Sequence, residues 1–384
     1  MTYYAKYLST FVKVILVKYD EDVKKHLGKK YSMFDPIDDI KLLNLPFKPD
    51  IIEESPNFLL TKIDYAQYRK KTDKFFFNAF YMFGKKIINV IPNVTSKDKM
   101  NRKSITDKEL STLKIPPLPK SDITNYIDEN FKDNPGNTKD FIYPTTHKTA
   151  KKWLTYFITH KFKNFGQYQD FINKDNEYMF HSILSSSINI GLINPLDIIE
   201  IIEKHKTKIP INSYEGYIRQ LFWREYQRYT YIYLYSKNRR HNYFENNKRL
   251  SKKWYTGETG IDPVDNCIIQ GFKTGYLHHI SRLMIMGNYM NLVRISPHQG
   301  FKWFMEFACD SYDWVMCQNI YGMAFFSDNG ATMRRPYISS SNYILKMSNY
   351  KRGDWCDKWD MAYRNFIADN KKKLKKYRYY IRGV

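Results

Sequence analysis

Apolar residues recur near a 3.6-residue spacing from "IDYAQYRKKTDKFFFNAFYMFG" (63–84) onward, and beyond about residue 145 the runs with that spacing are long. A chain patterned in this way must bury one stripe of many helices against one another, so a mainly α fold is expected. "THKTAKKWLTYFITHKFKNFG" (146–166) runs to a glycine that reads as a helix stop. "PLDIIEIIEKHK" (195–206) is short and amphipathic. "SYEGYIRQLFWREYQRY" (213–229) opens on Ser213, which reads as an N-cap. "YTYIYLY" (229–235) alternates with period two, the pattern of a strand, yet it is apolar or aromatic on both sides, as a buried helix would be. The pattern leaves the two open.

The first 62 residues read differently, as mixed α/β. "FVKVILV" (11–17) reads as a strand, and "PDIIEESPNFLLT" (49–61) carries a second strand-like run before a turn. Breakers concentrate in "IPPLPK" (115–120) and "KDNPGNTKD" (132–140), where an interdomain linker is expected. With 384 residues, two or three domains and at least one large core are within reach.

The chain carries 62 Lys and Arg against 39 Asp and Glu, a net charge of +23. Such an excess suits a polyanion partner, since every phosphate neutralised releases a counterion; a lysine-rich solvated surface is the simpler alternative. Cys267, Cys309, Cys317 and Cys356 form no CxxC pair, which argues against a disulfide framework or zinc ribbon and for a reduced, intracellular setting. The apolar run at 11–17 is short and interrupted by Lys13, so neither a signal peptide nor a membrane span is read there. Glycine-rich dinucleotide loops, P-loops, HExxH and GxSxG are absent.

Chemistry concentrates in a few other stretches. "GYLHHISRLMIMGN" (275–288) sets His278, His279 and Arg282 at the spacing of one helix among Leu, Met and Ile. A zinc site would want another ligand one turn on, where Arg282 and Leu283 stand. Buried and unpaired these groups are costly, so an anion or polar ligand is expected opposite them, unless they are satisfied core side chains. "FHSILSSSINIG" (180–191) offers His181, Ser182 and Ser185 around a helix start, either an anion site or an ordinary serine cap. Gln220, Trp223 and Arg224 lie on nearby faces of one helix. "FACDSYDWVMCQN" (307–319) brings Asp310 and Tyr312 into an apolar context, and "WYTGETGIDPVD" (254–265) reads as a turn-rich connector. "NKKKLKKYRYYIRGV" (370–384) interleaves cations with tyrosines, as a phosphate clamp or as an exposed helix end.

Taken in order, these stretches resemble the cryptochrome/photolyase family. The resemblance is nearest to its bacterial (6-4) branch, the deoxyribodipyrimidine photolyase-related proteins. It is carried by "SPNFLLT", "KDKMNRK", "FGQYQDFI", "FHSILSSSINIGLINP", "EGYIRQLFWREY", "GYLHHISRLMIMGN", "WFMEFACDSYDWV", "NIYGMAFFSDNG" and "RPYISSSNYILKMSNY". It implies a helical FAD-binding domain over 141–384, a linker region with helices over 63–140 and a truncated α/β remnant over 1–62. It also implies light-dependent repair of UV-damaged DNA, with His279, His278, Tyr337 and Tyr343 at the lesion. FAD would be held by Tyr168, His181, Ser182, Leu184, Ser185, Gln220, Trp223, Arg224, Arg282, Asp310, Tyr312 and Met316. Arg282 and Asp310 would grip the flavin ring from opposite directions, and Trp303 and Tyr312 would return electrons to it.

The sequence departs from the family pattern at three places. By motif spacing the chain begins inside the family's N-terminal domain, with roughly ninety residues lacking. That leaves an antenna chromophore doubtful and invites a second polypeptide onto the exposed sheet edge. The positions that carry iron–sulfur thiolates in the bacterial branch hold Asp262, Lys351 and Asp354, so no cluster is expected. The position facing flavin N5, an acid in that branch, is Met316. The alternatives to repair are a flavin photoreceptor and a degenerate or split paralogue.

Overall fold

The structure, a computed structural model, describes residues 2–17, 21–37, 45, 47–103, 105, 124–237 and 241–381. It is 56% helical, and its one described sheet has two parallel strands, Ser32–Phe34 and Ile51–Glu53, in register Met33 to Ile52. The second strand falls where the sequence placed one. "FVKVILV" does not form a strand: residues 13–17 have no regular structure, and Phe11, Val12, Ile15 and Leu16 are exposed. Alternation alone does not make a strand. A ladder partner is also needed, and none pairs with this run among the described residues.

Local chemistry sets the helix ends. Thr61 and Asp64 form a reciprocal capping box that starts the helix Lys62–Lys71, and Thr146 and Thr149 do the same for His147–Tyr156. Pro195, Pro263 and Pro297 occupy first-turn positions, where a missing N–H costs nothing. Gly257 and Gly275 end their helices in the left-handed region. Among the described residues no helix is long and apolar enough to cross a membrane.

Two readings of helix ends give way to packing, and one open pattern is resolved. The helix from His147 does not stop at Gly166; it continues through a wide-wound turn, Phe157–Lys161, to Tyr168. Gly166 is a contact glycine, for a Cβ there would lie 2.4 Å from Ser213 N. Ser213 is correspondingly no N-cap. Its helix, Ile211–Thr230, starts after Pro210, and Ser213 Oγ accepts from Gly166 N–H and donates to Lys163 O. "YTYIYLY" completes that helix as a π-helical turn, Tyr231–Tyr235. The breaker-rich 132–140 forms turns and a short 3-10 helix, Thr138–Asp140, whereas "IPPLPK" lies outside the described residues.

The long Ile211–Thr230 helix organises the rest. Glu225, fully buried, accepts from the backbone N–H groups of Leu59 and Leu60 and from Tyr65 Oη, anchoring the segment before the Lys62–Lys71 helix. Two apolar clusters rich in aromatic rings form the interior. One is built around Tyr65, Phe80, Phe162 and Tyr226, the other around Trp303, Phe325 and Trp359, and Trp223 and Leu234 pack against both.

Gly166→Ala is expected to force these two helices apart, because the atom its methyl meets is backbone and cannot swing away. The expected loss is about 1–3 kcal/mol in urea unfolding; an unchanged midpoint would contradict the contact.

Candidate functional site

A cavity of about 430 Å³ opens between the two clusters, lined by Phe165, Tyr217 and Leu221 from one and Leu283, Phe304 and Met316 from the other. Its size suits a small-molecule site, for which roughly 300–1,000 Å³ is usual. Fourteen of the expected site residues line it: His181, Ser182, Leu184, Ser185, Gln220, Trp223, Arg224, His278, His279, Arg282, Asp310, Met316, Tyr337 and Tyr343.

Arg282 and Asp310 do not oppose each other across a gap. They form a bidentate ion pair, Nη1 to Oδ1 at 2.9 Å and Nη2 to Oδ2 at 3.3 Å, while Arg282 Nε donates to Leu277 O at 2.6 Å. Two charges this enclosed are stable only when each satisfies the other, which is why they meet directly. The pair continues into a chain. Asn189 Nδ2 donates to Asp310 O at 2.9 Å and Arg224 Nε donates to Asn189 Oδ1 at 3.0 Å. Arg224 Nη1 also donates to Asn57 O, and its guanidinium lies 4.5 Å from the Phe58 ring centre and 5.0 Å from Trp314. Burial lowers the Arg224 pKa to about 10, which leaves it protonated at neutral pH.

His278, His279 and Arg282 are not on one regular helix. Gly275 closes the preceding helix, His278 precedes the next, and Ser281–Gly287 is wound wide as a π-helix. The two histidines consequently differ. Burial, reinforced by His181, His279 and Arg282, holds His278 well below the usual imidazole range, so it is neutral. Its Nδ1 accepts from Ile280 N–H at 3.3 Å, so the proton sits on Nε2 and is donated to Ser281 Oγ at 3.2 Å. Ser281 in turn donates to Glu177, whose oxygens lie 3.2 and 3.3 Å away. His278 is thereby fixed in one tautomer and stacks on His181 at 5.0 Å. His279 is 35% exposed, with Nε2 3.3 Å from Asp170 Oδ1. Of the pair, it is His279 that has access to a ligand and a carboxylate to orient it.

The serine-rich stretch forms only a short helix, Ser185–Asn189, with no side-chain cap. What stands out beside it is His181. Burial, followed by the charges of His279 and Lys161, keeps it neutral, and its Nε2 is buried without a hydrogen-bond partner among the described residues.

Three expected residues lie outside the cavity wall. Tyr168 is buried against Phe180, its ring 5.3 Å away. Tyr312 is largely at the surface beside Trp314. Trp303 is fully buried, donates from Nε1 to Trp254 O at 2.8 Å and touches the cavity through the ring of Phe304, 5.1 Å away.

The structure adds residues that sequence reading passed over. Asp170 sits inside the quoted "FGQYQDFI" but carried no spacing signal. Arg102 reaches it at 3.7 Å and also pairs with Asp98, which pairs with Arg219. All four line the cavity, as does Arg335. Ser281 is a small polar residue beside the apolar run Leu283–Met286, a signal that could have found it, whereas Glu177 follows the polar run Asn173–Asn176 and carries none.

Burial raises the Glu177 pKa from 4.5 to about 7, against the hydrogen bonds from Ser281 and the His278 backbone that lower it. A raised folded value means the folded state holds the proton more tightly, so this contribution to stability is complete below about pH 4.5 and disappears as pH rises through about 7. The neutral His278 and His181 act oppositely, stabilising above the ordinary histidine value and losing that as pH falls. Glu177→Gln removes only the contribution of the glutamate. Relative to the parent protein, the variant is expected to gain up to about 3 kcal/mol between acid and mildly alkaline pH. Thermal unfolding at several pH values measures this; a pH-independent difference would count against a buried titrating Glu177.

Comparison with known proteins agrees with this architecture. Residues 217–373 match the family described as the FAD binding domain of DNA photolyase. The chain is 35% identical over 267 residues to the (6-4) photolyase of Agrobacterium fabrum, covering 66% of this chain and 53% of that protein. It thus spans about half the length of that relative. A 93-residue stretch is 55% identical to uncharacterized protein R855 of Acanthamoeba polyphaga mimivirus, covering 24% of this chain and 76% of that one. In fold, the chain is similar to the crystal structure of a class III photolyase from Agrobacterium tumefaciens, with a TM-score of 0.58 at 17% identity, over 92% of this chain and 74% of the other. Shared fold, the matched domain and sequence identity point one way: residues 217–373 match the FAD binding domain of DNA photolyase, and the chain is similar to members of the cryptochrome/photolyase family.

Proposed function

We propose that the protein is a light-dependent, FAD-containing DNA repair photolyase of the (6-4) type. The observation that carries this reading is that one cavity is shared by the Arg282–Asp310 pair and by the partly exposed His279 with its Asp170 partner, with Tyr337 and Tyr343 also in its lining.

The residues present fit FAD. Arg224 and Arg282 supply buried positive charge, His181 Nε2 is a buried polar atom without a partner, and Leu283, Phe304 and Met316 give apolar surface for a ring system. His181, Ser182, Ser185 and Arg224 would hold the phosphates, and Arg282, Asp310 and Met316 would border the flavin. When bound and reduced, FAD would supply a light-released electron to the damaged pair of adjacent pyrimidines.

The chain's own part is positioning and proton control. Asp170 fixes the orientation of the His279 ring, and the partly exposed His279 presents a proton donor to a flipped lesion. His278, locked by Ser281 and Glu177, keeps its proton and packs the site from behind. Burial raises the pKa of Tyr337 and Tyr343, so both phenols stay protonated and offer hydrogen bonds without charge. Met316, almost fully buried in the cavity wall, offers no proton to a flavin, and this favours a second reading, a cryptochrome-like photoreceptor without repair.

Purified protein is expected to be yellow, without the broad absorption of an iron–sulfur cluster, since Asp262, Lys351 and Asp354 cannot replace thiolates. Illumination should restore an oligonucleotide carrying a (6-4) lesion. His279→Ala is expected to lower repair by at least about 100-fold, as loss of a general acid does, while retaining flavin. Normal flavin photoreduction with no repair by the parent protein would select the photoreceptor; unchanged repair in the variant would remove His279 from the chemistry.

A further inference from the structure

We infer that residues Lys371–Ile381 form a second DNA contact beside the cavity mouth, gripping the duplex that flanks the base held in the cavity; this rests on the DNA-repair reading above. The segment is docked and faces outward selectively. Leu374, Tyr377 and Ile381 are buried, whereas Lys371, Lys372, Lys375, Lys376 and Arg378 are exposed together with Tyr379 (83%) and Tyr380 (61%).

Its link to the cavity is direct. The guanidinium of Arg335, a cavity-lining residue, lies 5.2 Å from the Tyr380 ring centre. The intervening loop is tied down by Lys376 Nζ on Asn329 Oδ1 at 3.1 Å and by Tyr377 against Phe326 at 5.2 Å. A strand leaving the cavity past Arg335 therefore meets this segment next.

The charge there is uncompensated. Lys373 pairs with Glu245, but Lys371, Lys372 and Lys375 make no ion pair among the described residues. The nearby Asp328 turns inward to Tyr235 and Thr332 and neutralises none of them. Cations alternating with exposed aromatic rings match a phosphate backbone with stackable bases or sugars. A lipid surface fits less well, since the aliphatic side chains of the segment, Leu374 and Ile381, are already used in the core and only the two tyrosines face outward.

The test compares the full-length parent with Lys372→Gln/Lys375→Gln/Arg378→Gln and with Tyr379→Ala/Tyr380→Ala, by fluorescence anisotropy on a labelled duplex with and without a (6-4) lesion. The charge variant should bind both duplexes roughly tenfold more weakly at physiological salt, and its log affinity against log salt should flatten by about 2–3. The tyrosine variant should weaken binding about fivefold without changing that slope. Flavin content and the preference for lesion over undamaged DNA should remain as in the parent. If a variant does not fold, acetylation of the parent protein replaces it: DNA should protect Lys371, Lys372 and Lys375. Variants that bind like the parent, or lysines left unprotected, overturn the second contact and leave the repair reading standing. A parent protein that binds neither duplex overturns both. Binding to vesicles of anionic lipid, abolished in the charge variant while DNA binding is not, would reassign the segment to a membrane surface.

Discussion

Everything around the cavity depends on the ion pair between Arg282 and Asp310. Its strength comes from enclosure: among the described residues Arg282 pairs with no carboxylate but Asp310, and Nε and both Nη groups are committed, to Leu277 O and to Asp310. Those bonds tie the turn that presents His278 and His279 to the segment before Asp313. Through Asn189, Arg224 and Asn57 the same chain reaches the short Ser185–Asn189 helix, the long Ile211–Thr230 helix and the approach to Thr61. Segments far apart in sequence are thus set around one space by a single file of hydrogen bonds. Removing either charge would leave the other buried and unpaired, which costs far more than the pair's own net stability.

The adjacent histidines show how environment divides identical side chains. Both belong to the same turn and differ by one position, yet one is enclosed by Glu177, Ser281 and His181 while the other meets Asp170 and solvent. The enclosed ring has lost its ability to take a proton and has become a fixed dipole. The open ring retains a carboxylate partner that orients it. An arrangement of this kind separates holding a site together from acting in it, and a neutral buried ring beside Arg282 adds no like charge to the cavity.

The mainly helical character was legible in the sequence because it rests on local patterns, apolar spacing with proline and glycine punctuation, whereas the expected site residues that line the cavity came mostly from the family resemblance. "GYLHHISRLMIMGN" and "FACDSYDWVMCQN" each place their polar groups within a few positions, and the fold brings both stretches to one wall. Asp170 and Glu177 were not legible as site residues. Their partners His279 and Ser281 lie 109 and 104 positions away, and no periodicity records a contact at that range. Gly166 and Ser213 were misread for a related reason: a glycine and a serine near helix ends look like caps, but here each serves the close approach of two helices.

The wide turns explain why the remaining pattern was ambiguous. Ser281–Gly287 and Gln318–Ala324 are both π-helical, and between them they give the cavity Arg282, Leu283, Met284, Asn319, Ile320 and Met323. An α-helix would rotate successive side chains by about 100° and send part of this set away from the wall; the extra residue per turn keeps more of it on one side. The two segments also pass close together, since a Cβ on Gly287 would sit 2.5 Å from the Cβ of Ala324. Glycine at 287 and alanine at 324 therefore have a packing role that hydrophobic spacing does not register. A widened turn breaks the 3.6-residue rhythm on which sequence reading relies, and in these two segments it does so where side chains must converge on a ligand. Phe157–Lys161 and Tyr231–Tyr235 are wound wide as well but give the cavity no residue, so irregular winding serves the candidate site only in the two segments that face each other across Gly287 and Ala324.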